Sequence, residues 1–263
     1  MWKTAHNRTV DEFVKTENPD TPGQIAYEAA GLAWLSSANA CPVVKVREAR
    51  LSWIKEEMLV TTRPTPKAAW EFGKGLARLH RSGADGLGSP PPGFTGDGWM
   101  GMAPLSLPNL HGSWGVFYAK HRVRPYLRPF WGRDLEVLKA FCGLLDSGQL
   151  DHPQPDGVQG YARTHGDLWS GNVVWTPDGA TLIDPAAQGG HAEEDIAALH
   201  MFGAPYLSKI IDGYQSVSQF ASGWEDRVAL HQMHILVIHS YLFGGGYVGQ
   251  CVEVAASYLK SAG

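Results

Sequence analysis

Asp167, Asn172 and Asp184 are the residues whose types and spacing could do chemistry. They lie in Thr164-His165-Gly166-Asp167-Leu168-Trp169-Ser170-Gly171-Asn172 and in the downstream Ile183-Asp184-Pro185-Ala186. Between them, Asn172-Val173-Val174-Trp175 reads as a short strand and Ala180-Thr181-Leu182-Ile183 as a returning one. Thr176-Pro177-Asp178-Gly179 is the turn, with Pro and Gly where a tight reversal wants fixed and permissive backbone. Folding the strands together carries Asp184 back beside Asn172. Two carboxylates and an amide oxygen gathered in this way suit phosphoryl transfer. One carboxylate orients an attacking hydroxyl; the amide oxygen and the other carboxylate hold magnesium on nucleotide phosphates.

Other chemistries use fewer of these residues. A metal-dependent hydrolase built from His165, Asp167, His191 and Asp195 leaves Asn172 and the Asp184 hairpin idle. Ser170 lacks the G-x-S-x-G surroundings of a nucleophile elbow. His231 and His234 lie three apart on one helix face, which is half a metal site. No H-E-x-x-H pattern completes it, so ordinary packing is expected.

The spacing of the first string matches the H-R-D-L-x-x-x-N loop of protein kinases, with Gly166 at the Arg position and Asp184-Pro185-Ala186 at the D-F-G step. Both departures resemble the aminoglycoside-phosphotransferase branch of the kinase-like fold. The full string His-Gly-Asp-Leu-Trp-Ser-Gly-Asn is more specific and resembles the fructosamine kinase (ketosamine-3-kinase) family. That resemblance implies an α+β, bilobal protein-kinase-like fold. Residues 1–60 would form an N-lobe with a small antiparallel sheet and one helix, and 61–263 a larger, mainly helical C-lobe. It also implies ATP and Mg2+ as cofactors. The acceptor would be the sugar hydroxyl of a ketosamine, the 3-hydroxyl if family chemistry holds, on a small molecule or a glycated protein lysine. A kinase of another small hydroxyl compound, such as an aminoglycoside or amino alcohol, is the nearest alternative. A weakly catalytic nucleotide-binding module is the next.

The elements that must position these groups come earlier in the chain. Residues 2–15 read as a hairpin whose second strand is Glu12-Phe13-Val14-Lys15. From spacing alone Lys15 reads as a solvated strand-end lysine. The resemblance instead assigns it to nucleotide phosphates, because Phe-Val-Lys is similar to the family's nucleotide-binding lysine. A helix then opens at Thr21-Pro22-Gly23-Gln24 and repeats Ile25, Ala29, Leu32 and Leu35 at helical spacing. Glu28 in its first turns is placed to pair with Lys15. No Gly precedes Gly23, so a Gly-rich phosphate lid is expected to be absent or truncated. Val43–Val46 and Leu51–Ile54 read as further sheet strands. Family order then puts an adenine-binding hinge at Glu56-Glu57-Met58-Leu59. A helix follows Arg63-Pro64-Thr65-Pro66 and carries Ala69, Phe72, Leu76 and Leu79. It ends at Leu76-Ala77-Arg78-Leu79-His80, similar to the family's Leu-Ala-x-Leu-His, with His80 as a packed or capping residue.

Residues 83–113 are rich in Gly and Pro and read as a long functional loop. Asp97-Gly98-Trp99-Met100-Gly101 resembles a family segment, and Asp97 and Trp99 are expected to wall the acceptor site. Phe117 reads as core, while Trp114, Tyr118 and Arg122 could face a sugar through ring stacking and charge. A helix covers Leu135–Leu145. After Asp184, Gly190-His191-Ala192-Glu193-Glu194-Asp195-Ile196-Ala197 resembles a family segment that has Arg at the Ala192 position. Asp195 is expected to brace the catalytic loop or cap the next helix. His165 is grouped with it as a support, and His191 is either a substrate contact or a brace. Helical segments follow at Ile196–Phe202, Tyr206–Phe220 and Arg227–Phe243. Leu242-Phe243-Gly244-Gly245-Gly246-Tyr247 resembles a late family element.

Length and composition agree with an enzyme of this kind. A chain of 263 residues with 44% hydrophobic residues and ten Trp can bury a substantial core. A net charge of -4 gives no reason to expect a nucleic-acid partner. Three widely spaced Cys form neither a disulfide framework nor a metal knuckle and read as reduced thiols of a cytoplasmic protein. No apolar run reaches membrane-spanning length and the first residues lack a signal-peptide core, so no membrane partner is expected. A monomer is the favoured assembly. A carboxylate base near its ordinary pKa would suffice for the reaction.

Overall fold

The structure is a computed structural model that describes residues 12–262. The part of the expected N-terminal hairpin that precedes Glu12 therefore lies outside the described residues. Strand β1 (Glu12–Thr16) pairs antiparallel with β3 (Trp53–Glu57), which pairs in turn with β2 (Val46–Arg50). Both later strands start beyond the expected positions. Val43 and Val44 instead bridge to Leu182, with Val44 N–H donating to Leu182 O at 3.0 Å. Glu56 and Glu57 belong to β3, so the connector to the rest of the chain begins at Met58 rather than at Glu56.

Helix α1 (Gln24–Ser37) starts where Gly23 adopts φ +82° and where the Glu17 carboxylate accepts from Gly23 and Ile25 N–H. An anion there favours the positive end of the helix dipole. Ile25 and Leu32 pack with Val44 and Ile54 beneath the sheet. Each such buried side chain contributes about 1.5–3 kcal/mol. Helix α2 (Pro66–Arg81) begins with Pro66 at its first turn and the Thr65 hydroxyl capping Ala68 N–H at 3.1 Å.

The stretch after α2 holds one hairpin, β4 (Gly98–Met100) and β5 (Ala103–Leu105). Next come α3 (Trp114–Tyr118), a wider π-helical turn at Ala119–Val123, and α4 (Arg133–Asp146). Strand β6 (Ala162–Thr164) pairs with β9 (Gln188–Gly190), and between them β7 (Val173–Thr176) pairs with β8 (Gly179–Leu182). The tail is helical: α5 (Ala192–Met201), α6 (Leu207–Gln215), α7 (Trp224–Phe243) and α8 (Gly246–Ala262). The whole is α+β, with an N-terminal antiparallel sheet ahead of a mainly helical region. The main core runs from Trp34 and Leu76 through Tyr118 and Leu145 to Val237 and Ala255. Cys41, Cys142 and Cys251 are buried free thiols. Among the described residues no helix is long and apolar enough to cross a membrane.

Candidate active site

The segment from β6 to β9 builds the centre of the site. In the β7–β8 hairpin Val173 faces Leu182, and Ile183 N–H donates to Asn172 O at 3.1 Å. This pairing sets Asp184 beside Asn172. The Asn172 amide donates to Asp167 Oδ2 at 3.0 Å, to Asp167 O at 2.8 Å and to Asp184 O at 3.4 Å. One side chain thus holds both acidic residues, and its own oxygen is left as an acceptor. Asp184 sits at φ +53°, a left-handed conformation that Asp adopts more readily than most residues.

Lys15 completes the centre from β1. Its ammonium contacts Glu28 and Asp184 and lies 3.2 Å from Glu56 Oε2. Burial opposes its charge, but the Glu28, Asp184 and Glu56 carboxylates outweigh that and raise its pKa. The pairing depends on a close approach by α1. A Cβ on Gly31 would lie 3.2 Å from the Ala187 methyl and 3.3 Å from Pro185, so a small residue there lets α1 lie against the segment between Asp184 and β9. Tyr27 fixes the same contact by donating to Ala187 O at 2.9 Å. Glu56 is expected from family order only as part of the adenine hinge; its place in β3 makes it a partner of Lys15 instead. Burial raises the Glu28 carboxyl to about 7 and also raises that of Glu56, against the pull of the Lys15 charge. Oxygen atoms of Glu28, Glu56 and Asp184 lie within 4.8 Å of one another. That donor set fits a hard divalent cation.

Asp167 is half-buried. Burial pushes its carboxyl up to about 7; the Asn172 hydrogen bond works against this, while the charges of Asp184 and Asp195 add to it. The expectation of an ordinary carboxylate pKa is therefore corrected.

The catalytic loop is held from behind. Asp195 accepts from His165 N–H at 2.7 Å and Gly166 N–H at 3.0 Å, and lies 3.0 Å from His80 Nε2. Burial alone would raise its carboxyl, but the hydrogen bond and charge of His80 and the contacts to His165 keep it below the usual range. His80 is also 2.9 Å from the Tyr214 hydroxyl. His165 Nδ1 accepts from Asp167 N–H at 3.3 Å, and its Nε2 lies 2.9 Å from Ile183 O. The buried ring therefore ties the loop to the residue before Asp184. Asp195 lies within α5 rather than at its N-cap. The cap is His191, whose ring accepts from Glu193 N–H while Glu194 accepts from His191 N–H. His191 is buried at 2% exposure and is a brace, not a surface contact. Replacing Asp195 with Ala should cost about 3–5 kcal/mol of stability, measured by denaturant unfolding, because several buried donors would lose one shared acceptor.

Gly166 explains the absence of a side chain between His165 and Asp167. It adopts φ +81°, and a Cβ there would lie 2.0 Å from Ala186 O. Gly166→Ala should lower turnover at least about tenfold and reduce stability by about 1–3 kcal/mol, since strain and clash both act on the loop. Steady-state kinetics and thermal melts on one preparation check this.

The residues expected at the acceptor make the following contacts. Trp114 and Tyr118 are buried and stacked on each other at 4.4 Å. Trp114 donates to Glu194 Oε1 at 3.0 Å, and the Tyr118 hydroxyl donates to His231 O at 2.9 Å. Neither faces an open cleft. Arg122 is fully buried and bonds Gln188 and Ser106 O. Asp97 accepts from Leu107 N–H at 2.9 Å, and the Trp99 indole donates to Pro22 O at 3.0 Å. Both brace the β4–β5 hairpin. Met58 is 53% exposed at the start of the connector after β3.

The open side of the catalytic loop carries a row of aromatics that sequence spacing gave no sign of. Trp169, two residues after Asp167 and 38% exposed, meets Phe202 edge-on at 5.7 Å. Phe202 adjoins His239 at 5.9 Å, and His239 adjoins Tyr247 at 5.0 Å and Phe243 at 5.6 Å.

The sequence pattern of the fructosamine kinase family matches residues 2–261. A probable ketoamine kinase of Thermus thermophilus is 31% identical over 240 residues, covering 90% of this chain and 83% of that protein. A crystal structure of a candidate fructosamine-3-kinase from Thermobifida fusca superposes with a TM-score of 0.82 at 38% identity, covering 95% of this chain and 85% of that one. A choline kinase of Streptococcus pneumoniae shares the fold alone, at TM-score 0.59 and 16% identity, with 95% and 86% of the two chains covered.

Proposed function

The chain belongs to the fructosamine kinase family, and from that premise we propose that it uses magnesium and ATP to phosphorylate a sugar hydroxyl of ketosamines, the 3-hydroxyl of the sugar. The observation that carries this reading is the meeting of Asp167, Asn172, Asp184 and Lys15 at one place. In it, residues 1–60 serve the nucleotide and residues 61–263 the acceptor and the chemistry. The connector starting at Met58 lies at the adenine.

Asp167 orients the acceptor hydroxyl and takes its proton. Asn172 fixes that carboxylate through its N–H, while its oxygen and Asp184 would hold the metal. Lys15, steered by Glu28 and Glu56, holds nucleotide phosphates. Magnesium, when bound, neutralises charge on the phosphates being parted. The transition state of phosphoryl transfer is loose, so placement and charge matter more than base strength. A carboxyl raised to about 7 is nevertheless well suited to receive a proton near neutral pH.

The aromatic row at Trp169, Phe202, His239 and Tyr247 takes over the acceptor role first expected of Trp114 and Tyr118. Ring faces beside the base suit the apolar face of a sugar or of a lysine stem. Trp169→Ala should raise the acceptor KM about tenfold with less change in the KM for ATP, read from initial rates with each substrate varied.

A substrate panel tests the reading. ADP release with magnesium is measured on fructosyl-lysine, ribulosyl-lysine, choline and an aminoglycoside. Turnover on a ketosamine above the others supports it. Preference for choline or the aminoglycoside overturns it in favour of another small-alcohol acceptor.

A further inference from the structure

We propose that His152, Glu193 and His231, walled by His191, form a binding site for a divalent transition-metal ion of the zinc class, apart from the carboxylates around Lys15. This inference does not depend on the ketosamine reading.

Ligand-capable atoms of these four residues lie within 4.8 Å of one another. His152 Nε2 is 2.9 Å from His231 Nε2 and 3.7 Å from Glu193 Oε2, and His231 Nε2 is 3.4 Å from Glu193 Oε2. Tetrahedral ligands at about 2.0–2.1 Å from zinc stand about 3.3 Å apart. The three separations bracket that edge. His191 walls the group, its ring stacked at 5.0 Å on His231 and tilted at 4.4 Å from His152, with its own Nδ1 taken up by Glu193 N–H. Imidazoles joined by one carboxylate suit zinc-like ions better than magnesium, which prefers oxygen ligands.

The surroundings resemble the outer support of a metal centre. His152 Nδ1 lies 2.8 Å from Leu150 O, which fixes the tautomer that turns the Nε2 lone pair toward the cluster. His191 Nε2 lies 3.3 Å from Pro153 O. Arg227 holds the Glu193 carboxylate with bonds of 2.6 and 2.9 Å. Buried His231 Nδ1 has no hydrogen-bond partner. Without an ion, His231 Nε2–H would be shared between His152 and Glu193, and this is the arrangement the experiment must distinguish.

The site would join three segments distant in sequence: the connector before β6, the start of α5 and the middle of α7. Because α5 carries Asp195, a bound ion would also steady the support of the catalytic loop. His231 is the half-site member visible in the sequence; His234 packs instead against Tyr126.

The test uses untagged full-length protein, stripped with chelator and titrated with Co2+. A single equivalent should give the intense visible absorption of tetrahedral cobalt and should be displaced by Zn2+. His152→Gln should weaken cobalt binding at least about 100-fold, since even outer-shell changes cost about 10–100-fold. Asp184→Asn should leave the band intact. X-ray absorption of the zinc-loaded wild type needs no variant and should count two imidazoles. No tetrahedral band at stoichiometric cobalt, a band that survives His152→Gln, or a zinc shell with fewer than two imidazoles would each overturn the assignment.

Discussion

Asp167→Asn lowers turnover by about 10²–10⁴-fold while leaving nucleotide affinity nearly unchanged. Asn keeps the shape and the contact to the Asn172 side chain but cannot take the acceptor proton. The same substitution makes the protein more stable at alkaline pH. The Asp167 carboxyl is raised from an ordinary 3.8 to about 7 in the folded protein, mainly by burial. Between those values the folded state binds the proton more tightly than the unfolded state. Stability from this group is therefore present at low pH and is lost as pH rises through about 7. Three units correspond to a ceiling of about 4 kcal/mol. Solvent reaches the half-buried carboxylate, so a gain of about 1–2 kcal/mol is expected for the Asn variant above neutrality. In the wild type, kcat/KM should rise with pH through an apparent pKa near that value. Denaturant melts at acidic and alkaline pH, with calorimetric titration of nucleotide, check the set. Full activity in the variant would remove Asp167 from the chemistry.

Asp184→Ala has a different signature. It removes a metal-facing carboxylate and one of the three carboxylates around Lys15. Turnover falls by at least about 10³-fold, because several kcal/mol of charge stabilisation at the phosphates is lost. Magnesium also ceases to strengthen nucleotide binding, which separates this variant from Asp167→Asn. Titrations of ATP with and without magnesium give the comparison. A magnesium dependence equal to the wild type would place the metal elsewhere, for example on Glu28 and Glu56.

The parts legible in the sequence were those whose geometry is local. The string from His165 to Asn172 and the hairpin to Asp184 lie within twenty residues, and a tight turn with short strands leaves few ways to arrange them. Lys15 was legible only through the family resemblance, since spacing alone makes it a solvated strand-end lysine, and Glu28 followed as its partner on the next helix. Glu56 was not, because β3 starts two residues and ends three residues beyond its expected bounds, so Glu56 read as hinge backbone rather than as a strand side chain. Trp114 and Tyr118 misled for a chemical reason. A ring with one polar atom serves a sugar and a core equally well, and only the contacts to Glu194 and His231 decide between them. The row from Trp169 to Tyr247 draws on separate segments, so no spacing announces it. The last helix, α8, begins at Gly246 directly after Gly244 and Gly245, a run that reads as an ending rather than a beginning.

The most direct measurement is phosphorus NMR of the product formed from fructosyl-lysine, ATP and magnesium, with Asp167→Asn alongside. The account predicts a new phosphate monoester coupled to the proton on sugar carbon 3, formed by the wild type and at least about 100-fold more slowly by the variant. ATP hydrolysis to free phosphate with no ester, or an ester formed equally fast by the variant, would contradict it.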